Sequence, residues 1–317
     1  MEKEISEFSH FPVMLNECIE ALNVKDGGVY VDCTTGGAGH SSEIAKKLLG
    51  TSGRLICLDR DEEAIAAASK RLEPYSEVVT LVRSNFSEVG EVIRSLGIEK
   101  IDGALIDLGA SSHQFDSPER GFSYRFSGRL DMRMDNRDKL SAYDIVNTFS
   151  EGEIKKIIFE YGEERFAPKI AHEIVKERAN APIETTDKLV EVIRRAIPQK
   201  AQREGGHPAK RTFQALRIAV NNELEIIAPT LKTLCSLLNK EGRVAVLTFH
   251  SLEDRIVKQT FGELENPCTC PASFPVCVCG KKASVKALGK KPMLPSKEEL
   301  ENNSRSHSAK LRVVEKI

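Results

Sequence analysis

The sequence of 317 residues lacks any long apolar run, and this absence excludes a membrane-spanning protein. Charged residues interrupt every apolar stretch before it reaches the roughly 20 residues that a membrane helix needs. The stretch MEKEISEFSHF is acidic, so it also lacks the basic-then-apolar pattern of a signal peptide. Hydrophobic residues still make up 40% of the chain, which excludes whole-chain disorder. We therefore expect a soluble, cytoplasmic protein without a membrane partner.

The sequence also has almost no net charge, since 46 Lys plus Arg stand against 47 Asp plus Glu. This balance argues against a globally basic nucleic-acid binder but does not exclude local basic segments. Residues 120–137 contain five arginines and two aspartates, and residues 281–297 contain six lysines and no acid. The near-neutral total therefore conceals two positive segments that suit RNA phosphates.

Short apolar runs alternate with helical patterns, and this alternation predicts the fold. Strands are predicted at 29–33, 54–59, 78–82, 101–108, 243–249 and 311–315. The pattern indicates βαβ units in a doubly wound, mostly parallel, Rossmann-like α/β sheet. Between them, apolar spacing predicts helices over 142–198 and one long helix over 212–238, bent at Pro229. We expect residues 1–114 and 206–317 to form the sheet domain, and 115–205 an inserted all-helical domain that recognises the substrate.

The motif DCTTGGAGH begins at the end of the first predicted strand. Its glycines allow a tight turn and a close approach to a ligand, and the next helix adds a positive dipole end. An acid ending the second strand can bind a ribose diol. The candidate cofactor-binding residues here are Asp32, Gly37, Ala38, Gly39, His40 and Asp59.

The glycine spacing distinguishes two cofactors. A dinucleotide-binding GxGxxG pattern starting at Gly37 would need a third glycine where Ser42 stands. S-adenosylmethionine fits better, because it has no pyrophosphate for the helix N-terminus to bind. An NAD-dependent dehydrogenase and a tight turn without cofactor remain the alternatives.

Asp107 ends the fourth predicted strand, beside the reactive part of a ligand bound to a doubly wound sheet. A carboxylate there suits methyl transfer to an exocyclic amine. The amine lone pair is delocalised into the ring, so its N–H groups need an acceptor that orients them. We expect Asp107 to be catalytic and to contact the cofactor. The alternative is that it only caps a turn or orients the cofactor.

Arginines and aromatic residues are interleaved in the stretch ERGFSYRFSGRLDMRMDNR, and a second basic stretch reads GGHPAKR. Guanidinium groups bind phosphates, and aromatic rings stack on bases that leave a helix. The predicted RNA-binding residues are Arg120, Tyr124, Arg125, Arg129, Arg133, His207, Lys210 and Arg211. The alternative is a solvated interdomain loop whose arginines and aspartates pair with one another.

The eight cysteines fall into two groups. Four lie in apolar segments and are predicted core residues: Cys18, Cys33, Cys57 and Cys235. The other four form two CxC pairs in one short stretch: Cys268, Cys270, Cys277 and Cys279. Four thiolates this close can hold a tetrahedral zinc ion, although CxC is tighter than the usual ligand spacing. A redox-sensitive loop of thiols is the alternative.

Five motifs in this order resemble the 16S rRNA (cytosine-N4)-methyltransferase family of the RsmH or MraW type, over nearly the whole chain. They are DCTTGGAGHS, IDLGASS with a following Gln, ERGFSYR with LDMRMD, GGHPAKRTFQALRIAVNNEL and TFHSLEDRIVK. The resemblance implies a Rossmann-like, S-adenosylmethionine-dependent methyltransferase domain with an inserted helical domain. It adds Phe86, against the adenine, and Gln114 to the cofactor-binding residues.

The resemblance also implies the reaction, which is methylation of N4 of a cytosine near the P site of the small ribosomal subunit. We expect the cytosine to be turned out of its stack, with 16S rRNA in the small subunit as partner and the chain acting as a monomer or homodimer. Three alternatives remain open: a methyltransferase of another RNA, one of small molecules or proteins, and a non-catalytic small-subunit assembly factor.

Overall fold

The computed structural model describes residues 12–204, 206–271, 274, 276 and 278–317. The chain divides into two compact units. The first consists of Met1–Gly109 and Leu224–Ile317, and the second is Ala110–Glu223. Within the described ranges, no helix is long and apolar enough to cross a membrane.

The first unit opens with alternating helices and strands. In chain order they are α1 (Leu15–Leu22), β1 (Val29–Asp32), α2 (Gly39–Leu48), β2 (Arg54–Asp59), α3 (Glu62–Leu72), β3 (Val79–Arg83), α4 (Val89–Ser95) and β4 (Ile101–Asp107). The second unit contributes α5 (Ser112–Asp116), α6 (Ala142–Thr148), α7 (Glu151–Gly162), α8 (Ala167–Arg178), α9 (Thr186–Ala196), α10 (Gln199–Glu204) and α11 (Lys210–Asn221). The chain then returns to the first unit with α12 (Ile227–Leu237), β5 (Leu238–Thr248), α13 (Ser251–Glu265), β6 (Val285–Ala287), α14 (Lys297–Asn302) and β7 (Lys310–Lys316).

The seven strands form one sheet in the order β3–β2–β1–β4–β5–β7–β6. Strands β1 to β5 are parallel, and β7 runs antiparallel to both neighbours. Helices cover both faces, so Leu55 and Cys57 of β2 enter one core while Ile56 and Leu58 enter the other. The predicted doubly wound α/β fold is confirmed. The order reverses between β1 and β4, which places the ligand crevice of such sheets at the carboxyl ends of these strands.

The second unit is a helical body around its own apolar core. Helices α7 and α11 approach closely at Gly162, where a Cβ would lie only 2.7 Å from the carbonyl oxygen of Arg211. Asn221 of α11 binds the arginine-rich segment, residues 120–137, through its side-chain amide. Its amide nitrogen donates to Met132 O at 2.7 Å, and its Oδ1 accepts from Met134 N–H at 2.8 Å. The segment is therefore fixed within this unit by buried hydrogen bonds.

The single helix predicted over 212–238 is wrong. Helix α11 ends at Asn221, Asn222 adopts a left-handed φ of 50°, and α12 begins at Ile227. Pro229 lies in the first turn of α12, where its missing N–H removes no helix hydrogen bond, so it causes no bend. A polar Asn in the left-handed region, and not the proline, ends the helix.

The boundaries of the two units also differ from those expected. The prediction assigned 115–205 to the insertion, whereas the second unit spans Ala110–Glu223. Helix α11 belongs to this unit because it packs along α7. An apolar helix pattern does not reveal which body it packs against, and this displaced the predicted boundary. Strand β6, with three residues, is too short to show a pattern and was not predicted.

Candidate active site

Three aspartates lie at the carboxyl ends of three adjacent strands in the first unit. Asp32 ends β1, Asp59 ends β2 and Asp107 ends β4, and β1 lies between the other two strands. Because parallel strands share one edge at their carboxyl ends, all three predicted acids are brought to the same edge of the sheet.

The glycine-rich turn after β1 is tied to the end of β2. Thr35 N–H donates to Leu58 O at 3.0 Å, and Gly36 N–H donates to Asp59 Oδ2 at 2.8 Å. Gly36 and Ala38 have left-handed φ values of 50° and 58°. The turn therefore follows a path that favours residues with little or no side chain.

Gly39 begins α2 and lies against Pro12. A Cβ at this position would come within 2.8 Å of Pro12 Cγ, so the packing requires glycine. The carbonyl of Gly37 accepts a hydrogen bond from the Arg71 guanidinium at 3.0 Å. The predicted cofactor-binding turn is thus held on both sides at the N-terminus of α2.

Asp32 is a buried acid with a positioning role. The Ser41 hydroxyl donates to its Oδ2 at 2.5 Å, and Thr34 N–H donates to its Oδ1 at 3.1 Å. Burial raises the pKa of Asp32 to about 6, and these hydrogen bonds act in the opposite direction. Its carboxyl group connects the end of β1 to the first turn of α2.

Asp59 accepts one backbone N–H on each carboxylate oxygen. Gly36 donates to Oδ2 at 2.8 Å and Asp61 donates to Oδ1 at 2.9 Å. Burial raises the pKa of Asp59 to about 6, although both hydrogen bonds lower it. A carboxylate has about four acceptor positions, so positions remain for the two hydroxyls of a ribose. This geometry fits the predicted ribose contact.

Asp107 has the highest pKa of the three acids. Its backbone N–H donates to Thr34 Oγ1 at 2.6 Å. Its carboxyl Oδ1 is buried and has no hydrogen-bond partner among the described residues. Burial, followed by the negative charges of Asp32 and Glu253, raises the pKa of Asp107 to about 8. An unsatisfied buried acceptor with a raised pKa marks Asp107 as a candidate functional residue.

His40 lies next to Asp107 without neutralising it. The His40 Nδ1 is 3.9 Å from Asp107 Oδ2, which is too long for a hydrogen bond. Its Nε2–H donates to Val13 O at 3.1 Å, an assignment that leaves the lone pair on Nδ1. Burial lowers the pKa of His40 to about 4, so the ring is neutral near pH 7. The predicted contact residue therefore supplies shape and a polar edge, not charge.

Sequence analysis missed Glu253, which is 1% exposed in the first turn of α13. Its Oε2 accepts from Phe249 N–H at 2.8 Å and from His250 N–H at 3.2 Å. Its charge contributes to the raised pKa of Asp107. The detectable signal was the capping-box spacing, with a glutamate three residues after the helix N-cap at His250.

The two residues added by resemblance lie in different units. Phe86 follows β3 in a short 3₁₀ turn, Phe86–Glu88, and its half-buried ring packs against one of the sheet's two cores. Gln114 lies in α5 of the second unit, where its Oε1 accepts from Ser111 N–H at 3.0 Å in a capping box. Their cofactor contacts stay predictions.

The cluster of acids fits a cationic ligand. Asp32, Asp59 and Asp107 all have raised pKa values, and Asp107 keeps an unsatisfied oxygen. A sulfonium or ammonium group would stabilise the carboxylates, whereas the pyrophosphate of a dinucleotide would add like charge. The residues therefore fit S-adenosylmethionine, and the NAD alternative is disfavoured.

In the second unit, the predicted RNA-binding residues Tyr124 and His207 stack, with ring centroids 4.3 Å apart and planes at 11°. Arg194 of α9, which sequence analysis missed, places Nη2 3.3 Å from His207 Nε2. Burial, then the charges of Arg194 and Arg125, lowers the pKa of His207. This arrangement places two stacked aromatic rings beside the positive charges of Arg194 and Arg125. Arg194 carried no signal, because an arginine on an amphipathic helix usually marks the solvated face.

The remaining predicted RNA-binding residues differ in accessibility. Arg120 donates to Arg133 O at 3.1 Å, and the Arg133 guanidinium donates two hydrogen bonds, of 2.8 and 2.7 Å, to the Asp131 carboxylate. These two guanidinium groups thus hold the segment together, as the structural alternative expected. Four others are exposed: Arg125, Arg129, Lys210 and Arg211. Among them, Arg211 also donates to Glu163 O at 3.0 Å.

The structure describes seven of the eight cysteines and confirms the predicted group of core cysteines. The four core cysteines are buried, which confirms the prediction: Cys18, Cys33, Cys57 and Cys235. Of the clustered four, Cys277 lies outside the described residues. The other three have their sulfur atoms within 4.8 Å of one another: Cys268, Cys270 and Cys279.

Comparison with known proteins gives a consistent set of relatives. The model of the MraW methylase family matches residues 7–317. The ribosomal RNA small subunit methyltransferase H of Clostridioides difficile is 56% identical over 311 residues, covering 98% of this chain and 100% of that protein. The protein of that name from Brevibacillus brevis is 54% identical over 310 residues, covering 98% of each. A solved rRNA methylase from Streptococcus thermophilus is 11% identical with a TM-score of 0.42, and the alignment covers 96% of this chain and 93% of that one.

Proposed function

This chain belongs to the MraW methylase family, and from that premise we propose that it methylates the N4 amine of a cytosine in 16S rRNA, near the P site of the small ribosomal subunit. Its methyl donor is S-adenosylmethionine, whose methyl group is bonded to a positively charged sulfur. The amine nitrogen attacks the methyl carbon, and the sulfur leaves as the neutral thioether of S-adenosylhomocysteine. The observation that carries the proposal is the buried Oδ1 of Asp107, an acceptor without a described partner at the end of β4. The names of the curated relatives support ribosomal RNA as substrate, and the motif resemblance supports N4.

Asp107 acts as the acceptor for the N4–H of the cytosine. An N–H placed at Oδ1 satisfies a buried oxygen and turns the nitrogen lone pair toward the methyl group. The positive charge of a bound sulfonium favours the ionised form of Asp107. Binding of the methyl donor therefore produces the carboxylate that accepts the N4–H. A carboxylate is too weak a base to deprotonate a neutral amine. It therefore takes the proton as the new N–C bond makes the nitrogen acidic.

The other predicted residues of the sheet edge position the donor. Asp59 binds the ribose hydroxyls, and Phe86 packs on the adenine. Asp32 keeps the turn of Gly37 to His40 in place through Ser41 and Thr34. Loss of these residues should weaken donor binding more than it slows transfer at saturating donor.

The second unit is proposed to bind the RNA through exposed cations and stacked rings. Tyr124 and His207 offer aromatic surface, and Arg125 and Arg194 lie close enough to depress the pKa of His207. Phosphate groups would relieve the repulsion among these cations. Lys210 and Arg211, exposed at the start of α11, extend the basic surface.

The test is methylation of small subunits that lack the modification, with labelled S-adenosylmethionine and nucleoside analysis of the product. Label in N4-methylcytidine supports the proposal, and label in another nucleoside refutes the assigned reaction. Small subunits bound tightly without any label would support the assembly-factor alternative. Label only in other RNAs or in protein would support another substrate class. Exposed Glu62, changed to Gln, provides a variant that should methylate normally.

A further inference from the structure

A loop between α13 and β6 carries the clustered cysteines, and hydrogen bonds close its base. Ser284 N–H donates to Leu264 O at 3.1 Å, and Ala287 N–H donates to Glu265 Oε1 at 2.8 Å. Between Glu265 and Val285, the described residues form neither helix nor strand. Loops longer than about 12–15 residues without secondary structure are uncommon in compact domains, and they are usually either functional or linker segments.

The loop contributes little to an apolar core. Phe274 is 50% exposed, Val276 71% and Val278 72%. The conformation that brings the cysteines together is therefore not explained by hydrophobic burial of these side chains. Another interaction must compensate for the conformational entropy of ordering the loop.

The sulfur geometry suits a metal ion. The Sγ atoms of Cys268, Cys270 and Cys279 all lie within 4.8 Å of one another, and the Cys268–Cys279 distance is 3.9 Å. Tetrahedral zinc with Zn–S bonds of about 2.3 Å separates its sulfur ligands by about 3.8 Å. A disulfide would need about 2.05 Å, so the Cys268–Cys279 pair has the spacing of co-ligands and not of a bond.

The backbone around the sulfurs supports the same chemistry. Val278 N–H donates to Cys270 Sγ at 3.3 Å. Such donors are the outer-shell partners that orient thiolate ligands and stabilise their charge. Gly280, directly after Cys279, has a left-handed φ of 68°, which lets the chain turn away from the sulfurs at once.

We propose that Cys268, Cys270 and Cys279 bind one zinc ion, or another soft divalent cation, with a fourth ligand from outside this triad. The ion replaces the missing apolar core of the loop. It fixes the start of the lysine-rich segment 281–297, which follows Gly280 directly. We assign the ion a structural role and none in methyl transfer, because thiolate-rich zinc sites are typical of structural zinc.

The experiment uses the full chain, reduced and stripped of metal by a chelator. Zinc is titrated in competition with a chromophoric chelator, and Co²⁺ is then substituted for zinc. We expect one zinc per chain, a dissociation constant below about 1 µM, and thiolate-to-cobalt charge-transfer absorption. Fewer than about 0.2 zinc per chain at micromolar zinc, or a cobalt spectrum without thiolate bands, would overturn the proposal.

Variants separate the site from adventitious binding. Cys268→Ser and Cys279→Ser should each weaken zinc binding at least about 100-fold, in line with the loss of a ligand. Cys235→Ala, a buried cysteine of α12, should leave one zinc per chain. Retention of tight zinc by Cys268→Ser and Cys279→Ser would refute the assignment. S-adenosylmethionine binding and the far-UV spectrum of each variant report folding without requiring methylation.

Discussion

Replacing Asp107 with asparagine should stabilise the folded protein while it blocks methyl transfer. The substitution keeps the shape of the side chain and removes its ionisation. In the absence of ligand, desolvation and then the negative charges of Asp32 and Glu253 raise the pKa of the carboxyl, and the neutral neighbour His40 does not offset them. A residue that is costly in the free protein and needed in the reaction is typical of an active site.

The size of the effect follows from the pKa of Asp107, which rises from 3.8 to about 8 in the folded protein. Near pH 7 the unfolded carboxyl is ionised and the folded one is mostly protonated. At about 1.4 kcal/mol per tenfold change in proton affinity, this proton uptake costs about 4 kcal/mol. The side chain is 27% exposed, and the amide of the variant must also be desolvated. We therefore expect a gain of about 1–3 kcal/mol in the free energy of unfolding.

The pH dependence gives the sharpest test. With a raised acid pKa, the folded state binds more protons than the unfolded state between pH 4 and about 8, so wild-type stability falls as pH rises through this window. The Asp107→Asn variant lacks this fall, and its advantage should grow from pH 5 to pH 8. Urea unfolding across this range measures it. A variant less stable than wild type at pH 8, or a pH-independent difference, would refute the reasoning.

The effect of Asp107→Asn on methyl transfer is measured at saturating S-adenosylmethionine. We expect donor binding to persist and single-turnover methylation to fall by about 10²–10⁴, the range for loss of a positioned acid or base. Near-normal chemistry would remove Asp107 from its proposed role. Glu62→Gln neutralises an exposed carboxylate at the start of α3 and should change neither rate nor pH profile.

Asp59→Asn should raise the dissociation constant of S-adenosylmethionine about tenfold or more by calorimetry, because it removes a charged acceptor of the ribose, with methylation recovered at high donor. Arg194→Ala should weaken RNA binding about tenfold and lower the salt slope by about one in fluorescence anisotropy, because it removes a cation next to His207. Gly39→Ala should lower the free energy of unfolding by about 1–3 kcal/mol, because its Cβ would meet Pro12 at 2.8 Å.

The arginine and glycine changes each have a matched control in the chain. Arg195→Ala removes the neighbouring arginine, which pairs with Glu177, and should leave RNA binding nearly unchanged. Gly152→Ala adds a Cβ to open space in α7 and should stabilise by about 0.5–1 kcal/mol. Equal effects of the two arginine variants, or of the two glycine variants, would contradict the assigned contacts. An unchanged donor affinity in Asp59→Asn would do the same for the ribose contact.

The sequence predicts the sheet well because both of its faces are buried. Each parallel strand reads as a continuous apolar run, and the strand predicted at 54–59 matches β2, Arg54–Asp59. Helical connectivity is less readable. Asn222 breaks the long helix pattern by adopting a left-handed conformation, and α11 packs on α7 and not on the sheet. Both outcomes depend on tertiary contacts that a local apolar pattern does not contain.

The acids of the candidate site were predictable because strand ends in a doubly wound sheet have a fixed place. Part of the environment that sets their pKa values was not. Thr34 and Ser41 lie within the motif DCTTGGAGHS, but nothing in the motif marks them as partners of Asp32, and Glu253 stands 146 positions after Asp107 in the sequence. The pattern of arginines also did not reveal that Arg120 and Arg133 bind the protein's own carbonyls and Asp131, and their RNA contacts stay predictions.

In each of the two candidate sites, burial and neighbouring like charges disfavour the charged form of one side chain, which is an acid in the first site and a base in the second. At the sheet edge, burial and neighbouring acids raise the pKa of Asp107, so the free site resists its own negative charge. In the second unit, burial together with Arg194 and Arg125 lowers the pKa of His207, so that site resists further positive charge. A ligand of opposite charge would relieve each conflict, as the sulfonium of the cofactor would at the sheet edge and phosphates would in the proposed RNA-binding site. A near-zero net charge therefore does not exclude charge-selective sites, because it is a sum over the whole chain and does not report local charge.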